Sequence, residues 1–357
     1  MQKTAPYSRE NLADINTPLL YEQWYVAGLG SEFTQELRAR YLLNRSVLLY
    51  RTEEGTPVAL QNRCAHRSFP LNESSLEKDG VRCGYHGIKY GHNGEILEVP
   101  CQLQCPRNRI HSYPVKEIGP FVWIWMGDPE NADESQIPES QVHDPAKWTL
   151  VVGDYNRVEG NYLLMQENLC DLTHIPYLHG ESFQIPEEYA ELPIEINRER
   201  HQIEYYRHIE EWGLIKNLFH PSVDFTGRPI SHKSGGRFVS PGFFNGFGLC
   251  TPLDEGDNPV PVGHYVNHYL TPETQGSCHY FWYVARNYAL DDQEFSTNFR
   301  KLITQGFNED KFAVGVMQEM LEKDQHDFRE MNISGDQPGV LMRMAVKQLA
   351  NSEYERA

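Results

Sequence analysis

The chain has 357 residues, 39% of them hydrophobic and including 16 Phe, 20 Tyr and 6 Trp, enough to build the cores of about two domains. Fifty acidic residues against 32 basic ones leave a formal charge of −18, which argues against a nucleic-acid backbone or an anionic membrane as the main partner. The longest strongly apolar run, Phe121 to Met126, is too short to span a bilayer, the N-terminus has no apolar signal region, and seven cysteines make a poor disulfide framework.

A cytoplasmic protein is therefore expected, and the sequons at Asn44, Asn72 and Asn332 read as chance matches. The first third reads as short strands, SVLLYRT (46–52), TPVALQN (56–62), GVRCGYHG (80–87) and FVWIWMG (121–127), separated by Gly and Pro breakers. This predicts an all-β domain over residues 20–130, with the acidic, Pro-bearing stretch 127–145 as the boundary. A second domain is predicted over 140–357. Its segment 160–174 has helical spacing, and Pro176 is expected to disrupt that helix soon after it. Segments 201–209, 263–272 and 277–286 read as strands. Segment 291–324 reads as helix with Phe295, Phe299, Leu302 and Ile303 on one face, although Gly306 and Gly315 weaken a single unbroken helix. Strands followed by long helices predict an α+β domain, an antiparallel sheet with helices packed on it.

Two short motifs in the first domain carry chemistry. Cys64-Ala65-His66 is followed, after sixteen intervening residues, by Cys83-Gly84-Tyr85-His86. Zinc fingers group Cys with Cys and His with His. Here each loop supplies one of each, which suits a [2Fe–2S] cluster with two thiolates on one iron and two imidazoles on the other. Zinc stays open as the rival ligand. Cys101 and Cys105, in PCQLQCP, have no further pair to complete a second metal site and read as structural.

The second domain holds another constellation. Asp171 and His174 are three residues apart, so a helix places them on one face, where the carboxylate can orient the ring. His174 and His179 are five apart and would diverge on a straight helix, but a turn at Pro176 lets both imidazoles aim inward. Two imidazoles with one carboxylate form the facial triad of non-haem Fe(II) oxygenases.

CAHRSFPL (64–71) and RCGYHGIKY (82–90) resemble the ligand loops of Rieske proteins. NxxDxxHxxxxH from Asn168 to His179, followed by an EDK helix at 309–311, resembles the catalytic domain of Rieske oxygenases of the phthalate, vanillate and dicamba type. The segments YEQWYVAG (21–28), TPETQGSCHYFW (271–282) and GVLMRMAVKQL (339–349) extend the likeness over most of the chain. The resemblance implies a helix-grip-like catalytic domain and a Rieske cluster on Cys64, His66, Cys83 and His86. It also implies mononuclear Fe(II) on His174, His179 and Asp310, with Glu309 the adjacent alternative ligand, and catalytic roles for Asp171 and Asn168. It further implies a homotrimer in which His86 of one subunit meets Asp171 of the next.

The chain has neither a complete GxGxxG, since Gly28-Leu29-Gly30 lacks the third glycine, nor a plant-type ferredoxin motif, so a separate reductase or ferredoxin must bring NAD(P)H electrons. The expected function is the terminal oxygenase of a Rieske monooxygenase system. It would use O₂ on a small aromatic compound, first by O-demethylation and second by ring hydroxylation or N-demethylation. A pure Rieske electron carrier would not need the triad. Phe243, Phe244, Phe247, His264 and His268 are candidate pocket residues, the two histidines sharing one strand face. Arg63, Arg67, Arg82 and Lys89 flank the cluster loops as a candidate donor-docking patch.

Overall fold

The computed structural model describes residues 17–138, 144, 146–256, 259–323 and 330–356. The N-terminal stretch and part of the 127–145 boundary lie outside these residues. The chain divides into two compact units, one of residues Tyr21–Ile137 with Thr271–Thr274, the other of the remainder.

The smaller unit is all β, in three antiparallel sheets. Trp24–Leu29, Phe121–Trp125 and Val115–Ile118 form the first, and Arg38–Leu42, Arg45–Arg51, Pro57–Gln61 and Ser112–Tyr113 the second. The third runs Ser75–Glu77, Gly80–Arg82, Lys89–Gly91 and Ile96–Glu98. The segment read as a strand over 80–87 pairs only through Arg82, because the chain leaves the ladder at Cys83 to form a loop. Leu48, Tyr50, Leu60, Leu71, Val81, Ile88 and Tyr90 bury together, and Cys64 and Cys83 belong to the same cluster.

The larger unit is an α+β domain around an eight-stranded sheet. Its order is Thr149–Val152, Cys278–Arg286, Val262–Pro272, Phe243–Pro252, Ile230–Ser240, Gln202–Ile209 and Ile194–Glu199, with Asn156–Val158 also paired to Cys278–Arg286. The helices are α1 (Tyr162–Leu169), α2 (Ile175–Leu178), α3 (Glu188–Glu191), α4 (Gln293–Lys323) and α5 (Gln337–Arg356). None of the described helices is long and apolar enough to cross a membrane.

Three local readings change. The helix expected over 160–174 ends at Leu169, and Pro176 opens the one-turn α2 instead of breaking α1, since proline fits the first helical turn, where no N–H partner is needed. Segment α4 is continuous across both glycines. Gly306 faces the interior, where an added Cβ would lie 2.3 Å from Phe183 Cζ, so the glycine makes room for that ring. The hairpin of Ile230–Ser240 and Phe243–Pro252 was not anticipated, because its Gly and Ser content masks the strand pattern.

The buried positions of α4 are Phe299, Ile303, Gly306, Phe307, Asp310, Val314 and Gln318. That spacing is one helical stripe, and it carries a carboxylate into an otherwise mostly apolar face.

Candidate metal centres

The two cysteine loops are built alike. In the first, the Cys64 N–H donates to Phe69 O at 2.9 Å and the Ser68 N–H to Cys64 O at 3.0 Å. In the second, the Cys83 N–H donates to Ile88 O at 2.8 Å and the Gly87 N–H to Cys83 O at 3.0 Å. Each loop closes with a left-handed residue, Ser68 at φ 58° and Gly87 at φ 72°. Gly87 adopts that conformation without a Cβ clash. Both thiols are buried, whereas His66 and His86 are exposed with ring centroids 4.6 Å apart.

The sulfurs are provided for. The Tyr90 hydroxyl accepts the Ala65 N–H at 3.0 Å and lies 3.2 Å from Cys64 Sγ. Burial holds the Tyr90 phenol protonated, so its own proton is available to the sulfur. Burial pushes the Cys83 thiol pKa up, while the backbone N–H groups of Tyr85 and His86 act against that rise. Two buried sulfurs with such donors, and two outward imidazoles, are a donor set that fits a Rieske cluster. Hydrogen bonds to sulfur raise such a cluster's potential.

In the larger unit, His174 is the N-cap and His179 the C-cap of α2. One short turn brings the two ring centroids to 5.2 Å, in place of the divergence a longer helix would give. Asp310 reaches them from α4. Its Oδ1 lies 3.1 Å from His179 Nε2 and 3.5 Å from His174 Nε2, and one ligand atom from each residue falls within 4.8 Å of the others.

The far side of each ligand is held. His179 Nδ1 sits 2.7 Å from Glu309 Oε2, which also accepts the Ser182 hydroxyl at 2.7 Å. His174 Nδ1 is 3.6 Å from Asp171 Oδ2, and Asp171 Oδ1 accepts the Thr173 N–H at 2.6 Å. Asn168 Nδ2 donates to Asp310 Oδ1 at 3.0 Å. The Glu309 carboxylate on His179 Nδ1 turns that ring's Nε2 toward Asp310, whereas His174 Nδ1 has no hydrogen-bond partner among the described residues and faces the Asp171 charge at a distance.

Burial opposes a charged His174, yet Asp171 and Asp310 hold its pKa up to about 9. Burial likewise opposes an ionised Asp310, but the two imidazoles outweigh it and keep the carboxyl well below its ordinary range. Three carboxylates around two imidazoles attract positive charge, and the donor set of two nitrogens and one oxygen fits a divalent iron.

Other predicted residues divide. Phe244, His264 and His268 lie on the sheet face toward α4, where His268 meets Phe307 at 5.1 Å and His264 meets Phe299 at 5.8 Å. Phe243 and Phe247 lie on the opposite face, Phe243 stacked on Tyr269 at 4.8 Å and Phe247 paired with Tyr265. Strand alternation separates them from the three ligands. Arg82 is paired with Glu77 and Glu98, and Lys89 with Glu77 and Asp79, which leaves Arg63 and Arg67 of the basic patch without an ion pair among the described residues. Cys101 and Cys105 are exposed, so packing does not account for them.

Sequence reasoning weighed Glu309 only as a rival ligand, though its position beside the α4 stripe marks it as the neighbour of one. Tyr90 was not singled out, although it closes the RCGYHGIKY segment.

Residues 23–114 match the Rieske [2Fe-2S] domain, and residues 158–352 match the vanillate O-demethylase oxygenase C-terminal domain. The chain is 33% identical to a toluene-4-sulfonate monooxygenase system iron-sulfur subunit of Comamonas testosteroni, over 84% of this chain and 88% of that one. It is 30% identical to the dicamba O-demethylase oxygenase component of Stenotrophomonas maltophilia, over 92% and 97% of the two chains. The crystal structure of dicamba monooxygenase bound to 3,6-dichlorosalicylic acid superposes with a TM-score of 0.81 at 27% identity, covering 94% and 98%.

With sheets, loops and ligand sets of this kind, the chain belongs to the Rieske non-haem iron oxygenases, in the group whose catalytic domain is that of vanillate O-demethylase oxygenase. It is an oxidoreductase, the oxygenase component of a Rieske monooxygenase system, and its cofactors are a [2Fe–2S] cluster and a mononuclear non-haem iron.

Proposed function

We propose that this oxygenase removes the methyl group of a methoxylated aromatic compound. The observation that carries the reading is the inner sheet face beside the three ligands. Phe244, His268, Tyr280, Trp282 and Phe307 surround one another there, an aromatic wall suited to a planar ring. The net reaction takes ArOCH₃, O₂, NAD(P)H and H⁺ to ArOH, formaldehyde, NAD(P)⁺ and water. Oxygen is inserted at the methyl carbon, and the resulting hemiacetal collapses.

In this reading residues 20–130 carry the electron and residues 140–357 the chemistry. Cys64, His66, Cys83 and His86 hold the cluster, and His174, His179 and Asp310 hold the iron. Together these groups supply single electrons and O₂ activation. The chain's own residues do the rest. Glu309 accepts the His179 Nδ1 proton and keeps Nε2 free to ligate, and Asn168 fixes the Asp310 rotamer. Asp171 sets its negative charge 3.6 Å from His174 Nδ1 and, in a homotrimer, offers an oxygen to His86 of a neighbouring subunit. The outward imidazoles and the part-exposed Asp171, 27% accessible, support that link.

Electrons come from a separate reductase in the cytoplasm. The test is a panel of methoxylated aromatics scored for coupled NADH and O₂ consumption and for formaldehyde. Stoichiometric formaldehyde is expected. A hydroxylated ring without formaldehyde would replace demethylation with ring hydroxylation.

A further inference from the structure

His232 is 1% exposed, and neither of its ring nitrogens has a hydrogen-bond partner. It lies on the inner sheet face in the strand Ile230–Ser240, diagonal to Gly248, which pairs with Ser234 on one side and His264 on the other. A Cβ at Gly248 would stand 3.1 Å from His264 Nε2 and 3.4 Å from His232 Nε2. Both Nε2 atoms therefore converge on one small space that only a glycine leaves open.

Their hydrogen-bonding characters differ. The Tyr288 hydroxyl donates to Leu218 O at 3.3 Å and lies 3.3 Å from His264 Nδ1. With its single proton committed to the carbonyl, Tyr288 accepts from His264 Nδ1–H, and His264 Nε2 carries a lone pair. His232 has no partner to set its tautomer, so its Nε2 is free to carry the N–H.

We propose that His232 and His264 form a recognition pair for a neutral hydroxyl on the substrate, His232 Nε2–H donating to its oxygen and His264 Nε2 accepting its proton. This deepens the O-demethylase reading and rests on it. The oxygenase then selects hydroxylated methoxyaromatics over aromatic carboxylates and sulfonates, because an anion would meet the His264 lone pair in a site that penalises charge. Burial keeps both rings neutral, pushing His232 down to about 3 and His264 down to about 4.

The position agrees with this role. His264 precedes His268 by four residues on one strand face, roughly 13 Å. His268 packs on Phe307, one helical turn before Asp310, so the pair stands toward the pocket end remote from the ligands. Phe219 covers the pair, with its ring 5.9 Å from His232 and 5.4 Å from His264. The same ring lines a recess of about 600 Å³ together with Phe183 and Trp212, and neither His232 nor His264 is on the wall of that recess.

The test compares 4-methoxyphenol, 4-methoxybenzyl alcohol, 4-methylanisole and 4-methoxybenzoate on the holoenzyme and on His232→Phe and His264→Phe. In the wild type kcat/KM for a hydroxylated probe should exceed that for both others by about 100-fold or more. The better of the phenol and the benzyl alcohol tells which hydroxyl the pair takes. Each variant should lose that preference through KM, with an unchanged cluster spectrum and with 4-methylanisole turnover moved less than about threefold.

A wild-type preference for 4-methoxybenzoate, or equal losses on 4-methylanisole, would overturn the pair. His232→Gln keeps a donor and an acceptor, and should retain the preference if His232→Phe fails to fold. Should no probe release formaldehyde, the demethylase reading fails by itself. Calorimetry with 4-methoxyphenol then decides: tenfold weaker binding to His264→Phe supports the pair, and equal binding refutes it.

Discussion

The two metal centres are assembled by opposite routes. The four proposed cluster residues lie within 23 positions, from Cys64 to His86, on two loops that repeat one hydrogen-bond pattern. The proposed iron ligands combine a short segment, His174 to His179, with Asp310 from a helix more than a hundred residues later. A locally encoded site can be read as a motif and tolerates changes elsewhere. A site closed by tertiary packing depends on whatever seats the distant helix.

The largest effect should come from removing ligands. His174→Ala or His179→Ala should lose the mononuclear iron and all turnover while keeping the visible absorption of the cluster. Cys83→Ala should do the reverse to the spectrum. Loss of both centres in either variant would show that the two sites are not independent, and metal analysis with the absorption spectrum reads this directly.

Asp171→Asn tests the link between centres. Asn keeps the size and an acceptor for the Thr173 N–H but loses the charge facing His174. Both metal centres should remain, with turnover lowered by a hundredfold or more and slow oxidation of the pre-reduced cluster in rapid mixing with O₂ and substrate. Wild-type oxidation kinetics would break the bridge.

Glu309→Gln should weaken iron binding by about 10- to 100-fold, since it removes the charge behind His179 without touching the ligand itself. Iron retention during dialysis against a chelator measures it.

Gly306→Ala sets two effects against each other. Helix propensity favours Ala by about 1 kcal/mol. The new methyl, however, would stand 2.3 Å from Phe183, whose ring lies 4.8 Å from His179, and overpacking costs about 1–3 kcal/mol. A net loss of stability and partial iron depletion are expected, and thermal melting with iron content separates the two. The matching change in the other unit, Ser68→Gly, relieves a left-handed residue and should leave the cluster intact.

The smallest effect concerns the surface. With Arg82 and Lys89 neutralised by acidic neighbours, Arg67→Glu should slow reduction by the electron donor only a few-fold, and less so at high salt. Salt-independent reduction would remove any steering role.

Much was legible from sequence. Short runs of strand-forming residues between Gly and Pro breakers marked seven of the strands, and the loops CAH and CGYH carry the four proposed cluster ligands, because thiol and imidazole chemistry needs those residue types at close spacing. His174 and His179 were legible for the same reason. Their geometry was not: Pro176 read as a helix breaker, whereas it starts the single turn that makes the two rings meet.

Asp310 came from resemblance, yet its place in the 299–303–307–310–314 stripe was already in the sequence as a charge on a buried face. What only the tertiary structure decided was which side chains face that charge and which face away. Sheet register set Phe244, His264 and His268 on the α4 side and turned Phe243 and Phe247 from it. It also brought His232, from a strand whose glycines hid it, over Gly248 beside His264. Side-chain alternation is a property of one strand, but which strand lies beside which is settled by burial across the whole sheet, and no stretch of sequence contains that information alone.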